Sequence, residues 1–250
     1  MALIEEMEAS GNWLFRWRSY LPLVLYVLAV IVIFSGWGEM TNHHHLDWTL
    51  LCLAVSLLGQ VIRAITIGFT PRGTSGRNTA AGQVAEVLNT RGIYSMVRHP
   101  LYLGNFFMWM GIVLYVGNWW FSFSVVMMFW LYYERIMFAE EAFLRRKFGQ
   151  TYLQWAEKTP PFIPRLSGWT GNSVSFSLRN VLKREYSGFF AIFVSFTLIN
   201  AMKNYREFER WDIEFLLDPV WVVLLPLSFL IFIVLRTLKK KTRVLHVEGR

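Results

Sequence analysis

Residues 91–104 crowd Tyr94, Arg98, His99, Pro100, Tyr102 and Gly104 in front of a membrane-length apolar run. Proline fixes its own φ and disfavours helix for the residue before it, so His99 is expected at the threshold of a helix rather than inside one. Amides at a helix start are unsatisfied and carry partial positive charge, which favours a carboxylate or phosphate there. Arg98 and His99 add cationic donors, and Tyr94 and Tyr102 offer flat faces and hydroxyls. A ligand with one anionic and one planar group suits this end. An arginine on lipid phosphate with a capping histidine is the plainer reading of the same residues.

A second patch runs from Glu140-Glu141 through Arg145-Arg146-Lys147 to Tyr152. Neighbouring glutamates on a helix point about 100° apart, so one is expected to bind while the other pairs with Arg145 or, across the chain, with Arg98. Arg63 falls inside an apolar run one turn after Gln60. Charge at that depth is costly and often functional. It either pairs with the phosphate or carboxylate of a lipid headgroup or snorkels to the interface.

The elements that must position these groups are helices in a bilayer. Of 250 residues, 54% are hydrophobic and 17% aromatic, and only 17% are charged, against about a quarter charged in soluble domains. Six runs approach the length that crosses hydrocarbon: Tyr20–Trp37, Trp48–Phe69, Leu101–Val116, Trp119–Phe138, Tyr186–Met202 and Pro219–Leu235. The expected fold is an all-α polytopic integral-membrane helical bundle of about six transmembrane helices. Gly117-Asn118 is too short for anything but an antiparallel hairpin of the third and fourth runs, which brings residues 91–104 and 134–152 to the same end.

The net charge of +8 sits between the apolar runs, which argues for membrane orientation and against nucleic acid. Lysine and arginine concentrate in residues 1–19, 70–100, 135–185 and the tail. Lys203, Arg206 and Arg210 are on the other side and Arg63 lies within a run. The positive-inside rule then puts both termini and both polar patches in the cytoplasm. No cleavable signal is expected before the first run. The single Cys52 allows no intrachain disulfide. His43-His44-His45 with Asp47 reads as a solvated loop, and no metal is expected. The Gly- and Thr-rich 70–82 loop lacks the lysine of a phosphate-binding loop, leaving a lid, a substrate loop or a plain turn.

Gly92-x-Tyr94-x-x-Val-Arg98-His99-Pro100-x-Tyr102-x-Gly104, followed by Glu140-Glu141-x-x-Leu144-x-x-x-Phe148-Gly149-x-x-Tyr152 and Pro160-Pro161-Phe162-Ile163-Pro164, resembles the isoprenylcysteine carboxyl methyltransferase family. That family sits in a wider group of integral-membrane lipid and phospholipid methyltransferases. The resemblance covers roughly residues 90–166. It implies S-adenosylmethionine as cofactor at the cytoplasmic end of the hairpin. Arg98, His99, Pro100, Tyr102 and Gly104 would surround its amino-acid and sulfonium end, Glu140 or Glu141 would hold the adenosyl portion, and Tyr94 would stand near the mouth. His99, Arg98 and Arg63 are the candidates for chemistry. The acceptor would be a lipid or lipid-linked group: prenylcysteine carboxylate, lipid phosphate, phospholipid amine, or isoprenoid or quinone oxygen. Methyl transfer is an in-line displacement whose barrier falls largely through alignment.

On this reading residues 1–89 supply N-terminal helices, 90–166 the methyltransferase core and 167–250 a C-terminal membrane extension beyond the usual family core. Membrane sterol reductases, which use NADPH, share a similar core, but their first motif usually has Asn where this chain has Leu101. A non-catalytic membrane scaffold or transporter is the third class.

Overall fold

The computed structural model describes residues 2–20, 22–36, 46–71, 73–74, 77–79 and 82–247, with backbone alone for 77–79 and 82–84. The histidine run 43–45 and Arg72 lie outside the described residues. The helices are α1 (Leu3–Trp17), α2 (Leu23–Ser35), α3 (Leu46–Gly68), α4 (Pro100–Val116), α5 (Trp119–Phe148), α6 (Gln150–Lys158), α7 (Leu178–Phe208), the single turn α8 (Ile213–Leu216) and α9 (Pro219–Lys241). Within the 70–82 loop and just beyond it, β1 (Arg77–Thr79) pairs antiparallel with β2 (Gly82–Val84) in the register Arg77 opposite Val84.

Each expected run contains a helix among the described residues, the first of them over Leu23–Ser35. α3, α7 and α9 are long and apolar enough to cross a membrane, and α2 and α4 are shorter apolar helices. Outward faces are apolar, for example Val27, Leu51, Leu131, Val223 and Leu230. Such surface is stable against lipid tails and unstable in water. The chain is an integral-membrane helical bundle.

Two differences from the sequence expectation matter for the site. α7 begins at Leu178, where the Ser177 hydroxyl accepts the amide hydrogen of Asn180 at 3.3 Å. The helix therefore carries Arg184 and Glu185 ahead of the apolar run. The N-terminal segment, read only for its charge, is the helix α1, whose Gly11 abuts the Arg135 carbonyl and Ala139 of α5. It leaves Trp13 and Trp17 exposed, as an interfacial helix does.

The α4–α5 hairpin closes as expected. Gly117 takes φ +87°, and Asn118 Oδ1 accepts the Phe121 amide hydrogen at 2.8 Å to cap α5. α3 lies hard against α4. A Cβ on Gly59 would meet the Gly104 carbonyl and the Met108 amide, and Ser56 Oγ donates to the Met108 carbonyl at 2.8 Å. This is membrane packing through small residues. At the far end of the bundle Tyr115, Phe196 and Trp221 form the deepest aromatic core, with Trp221 Nε1–H donating to the Tyr115 hydroxyl at 3.1 Å.

Candidate functional site

The segment before α4 is a short 3-10 turn (Ile93–Ser95) followed by irregular backbone, and it needs backbone partners. It finds them in the Pro160–Pro164 stretch. The amides of Arg98 and His99 donate to the carbonyls of Pro160 and Pro161 at 2.9 and 3.2 Å, and the Arg165 amide donates to the Met96 carbonyl at 2.9 Å. Proline suits this edge because it supplies a carbonyl without an amide hydrogen. The chain beyond Pro164 straps the same segment. The Gly92 amide donates to the Thr170 carbonyl at 3.1 Å, and the Thr170 amide donates to Ser95 Oγ at 2.9 Å. Trp155 Nε1–H donates to the Tyr94 carbonyl at 3.0 Å.

Held in this way, the ends of α4 and α5 meet around a polar cavity of about 300 Å³. Tyr94, Arg98, His99, Pro100, Tyr102, Glu140, Glu141 and Arg63, all singled out from the sequence, line it. Gly104 does not. Its missing side chain makes room for the Arg63 stem and the Gly59 carbonyl, so it is a packing residue that lets Arg63 reach the cavity.

The cavity has two polar poles. At the first, His99 is 6% exposed and sits between the paired glutamates. Its Nε2 is 2.9 Å from Glu141 Oε1 and its Nδ1 is 3.6 Å from Glu140 Oε2. Glu141 also takes Arg98 Nη1 at 3.2 Å, and Tyr102 donates its hydroxyl hydrogen to Glu140 Oε2 at 2.8 Å. Both glutamates line the cavity. The angular offset between them is taken up by the two edges of one imidazole ring. Arg98 is also the partner chosen across the hairpin.

Burial disfavours the charged form of all three groups. Hydrogen bonds and charge from Glu140 and Glu141 outweigh it at His99 and raise that ring's pKa. The hydrogen bonds and charge of His99 likewise outweigh it at Glu140 and Glu141 and lower theirs. The coupling therefore favours the charged forms of all three groups, an imidazolium between two carboxylates.

The anticipated anion cradle at the helix start is smaller than expected. Pro100 has no amide hydrogen, and the amides of Tyr102 and Leu103 both turn back to the His99 carbonyl at 3.1 Å. The cationic donor that remains is Arg98, whose Nε is buried without a hydrogen-bond partner among the described residues. Such an orphan at a cavity wall asks for a ligand acceptor.

The second pole was only partly legible. Arg63 Nε and Nη2 donate to the two oxygens of Glu185 at 2.8 and 2.7 Å, and its Nη1 donates to Asn105 Oδ1 at 2.7 Å. Gln60 Nε2 donates to the same Glu185 at 3.0 Å, and Asn105 Nδ2 donates to the Tyr133 hydroxyl at 3.0 Å. Arg63 is thus anchored by protein groups through Nε, Nη1 and Nη2. Asn105 and Tyr133 gave no motif signal. Glu185 was discoverable only as a carboxylate just ahead of an apolar run. Arg18 and Arg184 complete the wall.

Tyr133 also borders a second cavity of about 220 Å³, whose other walls include Leu25, Trp109, Val125, Met128 and Phe129. A polar and an apolar cavity therefore share one side chain.

Comparison with known proteins gives a consistent kinship. The phospholipid methyltransferase family model matches residues 46–151, which span α3 to the start of α6. The protein-S-isoprenylcysteine O-methyltransferase of Schizosaccharomyces pombe is 32% identical over 108 residues, 43% of this chain and 45% of that relative. Protein-S-isoprenylcysteine O-methyltransferase B of Arabidopsis thaliana is 28% identical over 143 residues, 56% of this chain and 69% of that protein. The nickel-cobalt-cadmium resistance protein NccN of Alcaligenes xylosoxydans xylosoxydans is 27% identical over 204 residues, 81% of this chain and 88% of NccN. The chain thus spans less than half the length of the fission-yeast relative. No solved structure matches it. The two hairpin ends that meet at one cavity lie inside the matched region, so the part of the chain that carries the cavity is the part that is similar to the phospholipid methyltransferase family and to the isoprenylcysteine O-methyltransferases.

Proposed function

We propose that the protein is an S-adenosylmethionine-dependent methyltransferase that methylates a lipid or lipid-linked acceptor at the cytoplasmic face of its membrane. The observation that carries this reading is the pair of adjoining cavities. A polar one of about 300 Å³ lies at the hairpin ends, and an apolar one of about 220 Å³ lies beside α2, α4 and α5, with Tyr133 between them. A water-soluble donor and a bilayer-dissolved acceptor need that division. The polar volume is at the lower end of the range for small-molecule sites.

The residues fit the donor. Arg98, with its unpartnered buried Nε, suits a carboxylate. Glu140 and Glu141 supply acceptors for an ammonium group or a ribose diol, and Tyr94 and Tyr102 supply ring faces that tolerate a sulfonium. When bound, S-adenosylmethionine supplies an electrophilic methyl carbon on a positively charged sulfur. His99, clasped by two carboxylates, fixes the spacing of the glutamates and so the shape of the pole. Pro100 starts α4 at the point that aims Tyr102 at Glu140. The enclosing side chains exclude water and hold the reacting groups in line, which is where much of the acceleration of such a displacement arises. The excess of Lys and Arg on the cavity side supports a cytoplasmic orientation for the site and both termini. Residues 90–166 would form most of the donor half of the site.

The test uses the full-length protein in nanodiscs with methyl-tritiated S-adenosylmethionine. It is offered N-acetyl-S-farnesylcysteine, undecaprenyl phosphate and phosphatidylethanolamine separately. The expected result is saturable donor binding that NADPH does not displace, and transfer of label to at least one acceptor. Absence of donor binding, or preferential binding of NADPH, overturns the reading.

A further inference from the structure

Resting on the methyl-transfer reading, the second pole can be taken further, because its hydrogen bonds have a fixed direction. A guanidinium only donates. Arg63 Nη1 therefore requires an oxygen from Asn105, which it reaches at 2.7 Å. That contact sets the orientation of the amide and turns Nδ2 toward Tyr133, 3.0 Å away. The Tyr133 oxygen accepts, so its own hydrogen must be donated elsewhere. No second hydrogen-bond partner for it stands among the described residues. The ring is 5% exposed and packed on Phe129 at 4.2 Å and Tyr102 at 4.9 Å. Tyr133 thus lines both cavities, and its hydroxyl is a buried donor waiting for an acceptor.

We infer that the Tyr133 hydroxyl is the hydrogen-bond donor that seats an oxygen of the lipid acceptor at the junction of the two cavities, and that Glu185, Arg63 and Asn105 are positioning residues that set its direction. Glu185 holds one edge of the guanidinium through Nε and Nη2, which leaves Nη1 as the nitrogen that meets Asn105. Gln60 steadies Glu185 from the adjacent turn of α3 at 3.0 Å. Tyr133 keeps its proton throughout. The acceptor this geometry suits carries an oxygen with a lone pair to spare beside the atom that is methylated, attached to a long apolar chain. Glu185 comes from α7, outside the residues that match the family model. The C-terminal stretch therefore completes the acceptor half of the site.

Asn105→Asp is the discriminating variant. It preserves size and strengthens the pairing with Arg63, but an ionised carboxylate has no hydrogen to donate, so Tyr133 must turn its own hydrogen back to Asp. A purely structural role would leave this variant unharmed. Tyr133→Phe removes the donor outright. In nanodiscs, with whichever of N-acetyl-S-farnesylcysteine or undecaprenyl phosphate accepts label, both variants are expected to raise the acceptor KM on the order of tenfold to a hundredfold. The dissociation constant of S-adenosylmethionine should stay within about twofold, and the double variant should be no worse than Tyr133→Phe. Wild-type protein that transfers methyl while both variants keep the wild-type acceptor KM overturns this inference alone. So does labelling confined to phosphatidylethanolamine. Wild-type protein that binds no donor removes the methyl-transfer reading and this inference together.

Discussion

Glu141 reaches His99 across the ends of the hairpin, its Oε1 2.9 Å from the ring Nε2, while its other oxygen takes Arg98 Nη1 at 3.2 Å. One carboxylate therefore ties two cations from the start of α4 to the end of α5. Removing it leaves Arg98 without its carboxylate and His99 with Glu140 alone, with Arg98 already lacking a partner for Nε among the described residues. Glu141→Ala and His99→Ala are each expected to weaken S-adenosylmethionine binding by about tenfold or more, the loss that follows from deleting a charged hydrogen bond. Direct titration of the detergent-purified variants checks this, with a retained melting transition as the control. Unchanged affinity in both would mean that the donor lies elsewhere.

The same cluster gives the protein a pH window. The His99 pKa is raised in the folded state, so its contribution to stability is fully present below the unfolded value of about 6.5 and is lost as pH rises through the raised value. The Glu140 and Glu141 pKa values are lowered, so theirs is present above the unfolded value of about 4.5 and is lost as pH falls through the lowered values. The difference in melting temperature between wild type and His99→Gln should be widest between those limits and shrink toward both extremes. A difference that is flat with pH would show that the imidazolium clasp does not form.

The membrane helices and the first pole were legible because both rest on local signals. Apolar runs of sufficient length must be helices in lipid, and a proline after His99 marks a helix start. The Gly117-Asn118 turn then forces the two motifs together. The second pole was hidden because its members come from four helices with no shared spacing: Arg63 on α3, Asn105 on α4, Tyr133 on α5 and Glu185 on α7. Arg63 announced itself by its cost in the membrane. Its neutralising partner is 122 residues away, and nothing in the order of residues links the two. α1 was missed because half its residues are polar, so no apolar run betrays it.

Gly59 and Gly104 should be intolerant of even one added methyl. A Cβ at Gly104 would stand 2.5 Å from Arg63 Cγ and 2.9 Å from the Gly59 carbonyl, and one at Gly59 would stand 2.5 Å from the Met108 amide nitrogen. Backbone cannot yield there without parting α3 from α4. Gly104→Ala is expected to cost about 1–3 kcal/mol, as overpacking does, and to lower the melting temperature. It should also impair catalysis by displacing the Arg63 stem. Alanine at Gly171, which has open space around it, is the matched control and should leave the melting temperature unchanged. Equal behaviour of the two variants would contradict the close α3–α4 approach.

Stability and function can be separated at Arg63. Its partner Glu185 is 4% exposed, so Arg63→Met strands a carboxylate in a buried setting, with Gln60 as its remaining donor. Breaking one side of a buried pair costs roughly 3–5 kcal/mol, whereas replacing both partners with apolar side chains of similar volume is often neutral or stabilising. Arg63→Met should therefore lower the melting temperature sharply, and Arg63→Met with Glu185→Leu should recover most of it. Methyl transfer should not recover, because the double variant restores packing without any group to orient Asn105. Parallel melts and transfer assays on the two proteins decide the matter. If activity returned with stability, the ion pair would be a structural clamp between α3 and α7 and nothing more.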